Sequence, residues 1–229
     1  MLSIVLPCFN EELNIERTIL DTVGWLSAKG GAWEIVVIND GSLDGTAAIL
    51  SRLAHLPELR IVTHERNLGY GAAIRSGCDA ARGEIIGFMD SDGQFKASDF
   101  DLLLPSLVSS SFVTGRRRKR ADPFFRRLNA KLYGILAWLV LGIWARDINC
   151  AMKIFTKETW NRVRPTHATG ALINAEMFHL AKRAGIPWTV VDVPHAPRKF
   201  GTQTGAKLSV ILCMFRDLWK VKRTTRQKW

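Results

Sequence analysis

The sequence predicts an α/β fold, a mostly parallel central sheet flanked by helices. Three observations predict it. Short apolar runs alternate with stretches of helical spacing, the pattern of βαβ units. One run, residues 84–89, reads as a buried strand and ends abruptly in Asp90-Ser91-Asp92. The other runs also end in polar residues: Asn10 and Glu11, Asn39 and Asp40, and Asn67. In an open parallel sheet all these ends fall on one edge, where such sheets bind ligands.

The elements follow in order. Residues 2–6 form a first strand, closed by Pro7. After the polar turn Cys8-Phe9-Asn10-Glu11-Glu12, residues Leu13, Ile15, Ile19, Leu20, Val23 and Leu26 keep helical spacing. Residues 34–38 are the second strand, ending in Asn39-Asp40-Gly41-Ser42, and Asp44-Gly45-Thr46 opens a second helix. A short third strand, 60–63, precedes Asn67-Leu68-Gly69-Tyr70-Gly71, which opens a helix running to about Ala81. That glycine pair lacks the GxGxxG spacing and no Walker lysine follows it, so it supports neither a dinucleotide site nor a P-loop. Its expected role is a tight turn with close backbone approach.

Asp90 and Asp92 lie two residues apart, so in an extended chain they point the same way and can share one divalent cation. Their hard oxygen donors suit Mg²⁺ or Mn²⁺. From this stretch alone a cation site and a plain polar turn are both open. The recurrence of polar strand ends favours a nucleotide site.

From residue 112 the character changes. Gly115-Arg116-Arg117-Arg118-Lys119-Arg120 is a basic run after a short strand, and Asp122-Pro123 is a turn. Residues 132–144 are almost wholly apolar. That is too short to span a bilayer, which takes about 20 residues. Two readings stand: a buried core helix, or a helix lying in a membrane interface. Flanking basic residues, Trp138 and Trp144 favour the interface. Residues 147–155 return to strand and turn, 169–182 read as a helix containing Glu176, and 188–193 as a strand. A Pro- and Gly-bounded loop over 195–205 contains His195, Arg198 and Lys199. The tail, 206–221, is amphipathic and ends in basic residues: either a solvated end or an attachment to anionic lipid.

Composition sets bounds. A chain of 229 residues with 47% hydrophobic residues is ample for a sizeable core. The net charge of +11 suits acidic partners: nucleic acid, phosphorylated substrates or anionic membranes. Cys8, Cys78, Cys150 and Cys213 have no CxxC spacing, so disulfides and zinc are not expected, and a cytoplasmic, reducing compartment is. No basic leader precedes the first strand, so no signal peptide is expected.

Taken together the motifs resemble one family. Ile4-Val5-Leu6-Pro7-Cys8-Phe9-Asn10-Glu11, Val37-Ile38-Asn39-Asp40-Gly41-Ser42-Leu43-Asp44-Gly45-Thr46, Asn67-Leu68-Gly69-Tyr70-Gly71-Ala72-Ala73 and Asp90-Ser91-Asp92-Gly93-Gln94 occur in order. They resemble family 2 glycosyltransferases of the GT-A, Rossmann-like nucleotide-binding fold. Within that family they are nearest the dolichol-phosphate mannose synthase and polyprenyl-phosphate glycosyltransferase group. The likeness continues through Gly115-Arg116, Arg127, Asp147-Ile148-Asn149-Cys150-Ala151-Met152-Lys153, Glu176 and Arg198-Lys199-Phe200-Gly201. Phe9 stands where the family often has Tyr, Asn39 where it often has an acid, Ala151 where it often has Gly, and Met152 where it often has Phe.

The resemblance implies one GT-A domain over 1–207, with a donor and metal half (1–111) and an acceptor half (112–207), then the tail 208–229. It implies that Pro7, Phe9, Asn10, Glu11, Asn39, Asp40, Asn67 and Asp90 bind the nucleotide-sugar. Asp90, Asp92 and Gln94 would hold Mg²⁺ or Mn²⁺. Arg116, Arg127, Arg198 and Lys199 would hold phosphates, the acceptor's among them, with Asp92 and the three arginines central to catalysis. The implied reaction moves a sugar from a UDP- or GDP-sugar to a polyprenyl phosphate with inversion. The enzyme would sit peripherally at the cytoplasmic face of a membrane, directly or through a partner membrane protein. A lipid phosphate is already an anionic nucleophile, so it needs positioning instead of a base. If the acceptor were a hydroxyl, Glu176 would be the candidate base. A nucleic-acid binder is the remote alternative, since acidic strand ends repel phosphate; nucleic acid is not an expected partner.

Overall fold

The structure, a computed structural model of the chain, describes residues 1–118, 124–170, 172–198, 200 and 221–223, with the backbone alone at 124–131 and 133. Lys119, Arg120, Asp122, Pro123, Lys199, Gly201 and nearly all of the expected tail lie outside the described residues. The elements run β1 (Leu2–Cys8), α1 (Ile15–Lys29), β2 (Trp33–Asn39), α2 (Thr46–Leu53), β3 (Leu59–Thr63), α3 (Tyr70–Ala80) and β4 (Ile85–Phe88). Short helical turns follow, among them α4 (Phe100–Leu103). The C-terminal half has β5 (Phe112–Arg117), α5 (Phe124–Leu141), β6 (Lys153–Thr156), α6 (Lys157–Val163), α7 (Ile173–Arg183) and β7 (Thr189–Val193).

The described strands form one seven-stranded sheet in the order β3-β2-β1-β4-β6-β5-β7. All pairings are parallel except those of β6, which runs antiparallel to both β4 and β5. The expected mixed α/β architecture with a mostly parallel sheet is therefore present. Both faces of the sheet are covered. Ile4, Leu6, Ile35 and Val37 pack with α1 and α2 residues on one side; Val5, Val36 and Ile38 pack with α3 and the C-terminal helices on the other. Continuous apolar runs are the signature of strands buried on both faces.

Four expectations are corrected. Pro7 does not close β1, which continues to Cys8 in register with Asn39. Val5 and Pro7 turn their backbone groups toward β4, and β4 ends at Phe88 opposite Val5. The missing N–H of Pro7 thus falls beyond the ladder, where proline is tolerated. Second, β5 does not end before the basic run but extends through Arg117. Third, α7 starts at Ile173 and not at 169, because the backbone before it is drawn toward Glu176, as described below. Fourth, the apolar helix starts well before 132 and stops at Leu141, not 144. Gly142, at φ +67°, caps it by donating its N–H to the Trp138 carbonyl (2.8 Å), a left-handed C-cap that favours glycine.

That apolar helix has one buried face, as the core reading expects, and one exposed apolar face. Ala137 and Leu141 are buried in the core. Leu132, Ile135, Trp138, Leu139 and, beyond the cap, Trp144 are exposed, Leu139 by 64% and Trp144 by 69%. Among the described residues no helix is long and apolar enough to cross a membrane.

Candidate active site

The acidic motif follows β4 directly, and its alternation is pinned from below. Ser91 donates its hydroxyl to the Pro7 carbonyl (2.8 Å), and Thr18 donates to the Ser91 carbonyl (3.2 Å). Asp90 and Asp92 flank the inward-held Ser91, close enough for the charge of Asp92 to act on Asp90. Asp92 Oδ1 accepts the backbone N–H of Gln94 (3.1 Å). Gln94 donates its amide nitrogen to the Ala196 carbonyl (2.9 Å), and Ala196 returns its N–H to the Gln94 carbonyl (3.0 Å). This two-way bond ties the 194–198 loop to the acidic motif, and brings Arg198 in with it.

Arg198 bridges two strand ends. It donates to Glu11 Oε1 (2.6 Å) and to Asp92 Oδ2 (3.3 Å) while its Nε is held by the Phe200 carbonyl (2.7 Å). Glu11 also accepts from Asn14 (2.8 Å). Burial raises the Glu11 carboxyl above its ordinary range, with Asn14 and Arg198 opposing. Burial raises Asp90 further, and the negative charge of Asp92 adds to it. Three carboxylates thus share one partly enclosed edge with one described guanidinium bonded between two of them.

That charge excess fits a divalent cation. Among the described residues no three His, Cys, Asp or Glu side chains form a metal cage. Mg²⁺ is typically held otherwise, by one or two carboxylates plus substrate phosphates. Asp90 and Asp92 are such a pair, and Gln94, with its nitrogen committed to Ala196, has its oxygen to offer.

The remaining residues expected to bind the donor reach the same edge in different states. Asn10, at φ +55°, is exposed and interlocks with the next turn: its N–H donates to Ser42 (3.0 Å) and its side chain accepts from Leu43 (2.8 Å). Pro7 lies inside β1, Phe9 is 38% exposed, and Asn67 is exposed. Asn39 is buried and accepts the Ser42 N–H (3.1 Å). Asp40 is buried too; its carboxylate accepts the N–H groups of Leu68 and Gly69 (both 2.9 Å) and meets His64 Nδ1 at 2.6 Å. Asn39 and Asp40 therefore hold the turns at this edge, while Asn10 and Asn67 are exposed.

Among the residues expected to hold the acceptor phosphate, Arg116 forms a bidentate, half-exposed pair with Asp192 (2.5 and 2.7 Å). Arg127 falls on α5, where only the backbone is described, and Lys199 lies outside the described residues. Glu176 is fully buried, with both carboxylate oxygens accepting backbone N–H groups. A base must reach the proton it removes, and this geometry does not present Glu176 as one.

Sequence reading missed two buried charges. Arg117, next to Arg116 but on the opposite face of β5, grips Asp147 with two side-chain bonds (2.8 and 2.7 Å) and its backbone N–H (3.0 Å). Its positive charge also favours the ionised Asp90. Lys153, opposite Phe88 in β6, is fully buried and donates to the carbonyls of Ile148 and Cys150. Its ammonium lies over the rings of Phe88 (5.5 Å) and Phe178 (5.6 Å). Strand alternation was the available signal, since it puts one of two adjacent arginines inside.

Comparison with known proteins shows the family and the fold. The family model described as glycosyl transferase family 2 matches residues 3–178. A dolichyl-phosphate beta-glucosyltransferase of Trichomonas vaginalis is 28% identical over 240 residues, covering 96% of this chain and 72% of its own. An undecaprenyl-phosphate 4-deoxy-4-formamido-L-arabinose transferase of Pectobacterium carotovorum is 28% identical over 226 residues, covering 97% and 68%. Among solved structures, glucosyl-3-phosphoglycerate synthase from Mycobacterium tuberculosis, in complex with Mn²⁺, UDP and phosphoglyceric acid, superposes with a TM-score of 0.76. It is 20% identical, covering 97% of this chain and 78% of that one, a likeness of fold. The same enzyme with Mg²⁺ and UDP gives 0.75 at 18% identity, covering 97% and 79%.

Proposed function

The chain belongs to glycosyl transferase family 2, and on that premise we propose that it transfers a sugar from a nucleotide-sugar to a polyprenyl phosphate at a membrane surface. The observation that carries this is the meeting of Asp90, Asp92 and Glu11 with Arg198 at the sheet edge. The named relatives, which are dolichyl- and undecaprenyl-phosphate sugar transferases, support the acceptor class.

Asp90 and Asp92, with Gln94, would hold Mg²⁺ or Mn²⁺. When bound, the cation offsets the negative charge of the diphosphate leaving group. The chain's own residues do the rest. Pro7, Phe9, Asn10 and Asn67 border the nucleotide, with Asn39 and Asp40 shaping the turns beneath it. Arg198 is within reach of both the donor diphosphate and the acceptor phosphate once it leaves Glu11 and Asp92. Arg116, Arg127 and Lys199 supply further positive charge for the acceptor. A guanidinium suits this task because its charge is permanent and its bonds to phosphate are bidentate.

The acceptor oxygen attacks the anomeric carbon as the bond to the diphosphate breaks, and direct displacement inverts that carbon. The lipid phosphate is ionised at neutral pH, so no protein base takes part. The exposed apolar face of α5, with Trp138 and Trp144, would rest in the interface and bring the edge to the lipid headgroup. Attachment would be peripheral, at the cytoplasmic face, directly or with a partner membrane protein; the free cysteines Cys8, Cys78 and Cys150 suit that compartment.

The test is a transfer assay with a panel of UDP- and GDP-sugars, a short polyprenyl phosphate and Mg²⁺ or Mn²⁺, with and without chelator. A glycosyl lipid formed only with metal is the expected product. Donor binding with no lipid product would overturn the acceptor assignment and leave the nucleotide site standing.

A further inference from the structure

We infer that Glu176 is a positioning residue for the donor pocket, acting through the backbone of loop 166–170 on the turn that presents Asn67. This rests on the donor nucleotide binding at the β1–β4 edge, as proposed above.

Glu176 lies in the first turn of α7 with no exposed surface. Its carboxylate accepts three consecutive backbone N–H groups: Thr166 (2.9 Å), His167 (3.1 and 3.3 Å) and Ala168 (2.8 Å). Three adjacent peptide planes are thereby fixed, and their neighbours present carbonyls to the donor half. The Thr169 carbonyl accepts the Gly71 N–H (2.7 Å), and Arg75 on α3 donates to the Ala168 carbonyl (3.2 Å).

The contact has no slack. A Cβ at Gly69 would sit 2.5 Å from the Thr169 oxygen, and one at Gly71 would sit 2.8 Å from the oxygens of Ala168 and Gly170. The opposite side of the same turn is gripped by Asp40, through Leu68 and Gly69. Two buried carboxylates therefore hold one turn from two sides: Asp40 directly, and Glu176 through the loop. Asn67, exposed beside that grip, takes its position from both. Movement of the loop has to move the turn, because packed backbone of this kind transmits displacement instead of absorbing it.

The experiment is calorimetric titration of UDP and GDP with Mn²⁺ and no acceptor, on wild type, Glu176→Gln, Glu176→Asp and Arg75→Met. In Glu176→Gln an amide NH₂ replaces one acceptor and opposes a backbone N–H. Loss of such a charge-assisted bond weakens nucleotide binding by about tenfold. Arg75→Met weakens it in the same direction by less, and Glu176→Asp, which keeps both acceptors, falls between wild type and Glu176→Gln. The pH profile of transfer keeps its shape in all three.

Unchanged nucleotide affinity in Glu176→Gln, with a lower kcat and a lost acidic limb of the pH profile, would make Glu176 a base and overturn the inference. A lower Tm with unchanged affinity would reduce Glu176 to a fold-stabilising role and overturn it equally. If Glu176→Gln does not fold, unchanged affinity in Arg75→Met overturns it, and weakened affinity supports it. Wild type that binds neither nucleotide overturns the donor-site reading itself, a result distinct from all of these.

Discussion

Lys153 closes one of the motifs that carry the resemblance, but nothing in that motif announces its burial. A fully buried lysine stays folded only because the Ile148 and Cys150 carbonyls and two aromatic faces receive its ammonium. Burial still lowers its pKa from the ordinary 10.5 to about 8. The sign of the linkage follows. Between those values the unfolded chain keeps the proton and the folded chain has released it, so stability contributed by this site rises with pH. A gap of that size corresponds to about 3 kcal/mol over the window. Lys153→Met removes the titration while keeping an unbranched apolar stem. The stability of wild type minus that of Lys153→Met, from urea unfolding between about pH 7 and pH 10.5, is expected to rise by up to about 3 kcal/mol. A flat difference would mean that Lys153 titrates normally in the fold.

At the scale of the element, α5 divides its work between two faces. Ala137 and Leu141 anchor it in the core, so its exposed face can be altered without disturbing the sheet. Trp138→Ser with Leu139→Ser removes two exposed apolar groups, each worth about 1.5–3 kcal/mol if buried in lipid. Co-sedimentation with phosphatidylcholine–phosphatidylglycerol vesicles is expected to fall at least about tenfold, with nucleotide affinity unchanged. Unchanged sedimentation would remove this face from the membrane contact. The same helix marks how far the sequence could be read. Its apolar character was legible, but its two-sidedness was not, because both faces are apolar and periodicity then has no contrast to detect. Strand ends were legible because the apolar-to-polar change is sharp: Asn10, Asn39, Asn67 and Asp90 all fall on one edge. The state of each end was not. Whether Asp40 faces a ligand or holds Leu68 and Gly69 depends on a turn twenty-odd residues away, and local pattern does not encode it. Glu176 was legible as a helix-borne acid and candidate base, while its burial and the three N–H groups it gathers became visible only in three dimensions.

Across the whole molecule, a chain of net charge +11 gathers Glu11, Asp90 and Asp92 at the edge where the proposed donor site lies. Burial and the charge of Asp92 raise Asp90, with Tyr70 and Arg117 opposing, and Arg198 bonds Asp92. Asp92→Asn removes that charge, and the asparagine oxygen can still accept the Gln94 N–H that Asp92 accepts. The unliganded variant is therefore expected to be at least as stable as wild type, as when an active site stores unfavourable charge. Ligands should separate the two. A nucleotide bound with metal at about a hundredfold over its Kd adds about 2.7 kcal/mol to the folded state. For a chain of this size that raises Tm by about 5–10 °C. Wild type should show this rise with UDP or GDP plus Mn²⁺ together, and much less with either alone, because charge repulsion between the acidic edge and the diphosphate is relieved only by the cation. Asp92→Asn should show little rise with any combination. Differential scanning fluorimetry of both proteins with metal, nucleotide and the pair reads this directly. An equal rise in the two proteins would place the nucleotide elsewhere than against Asp92.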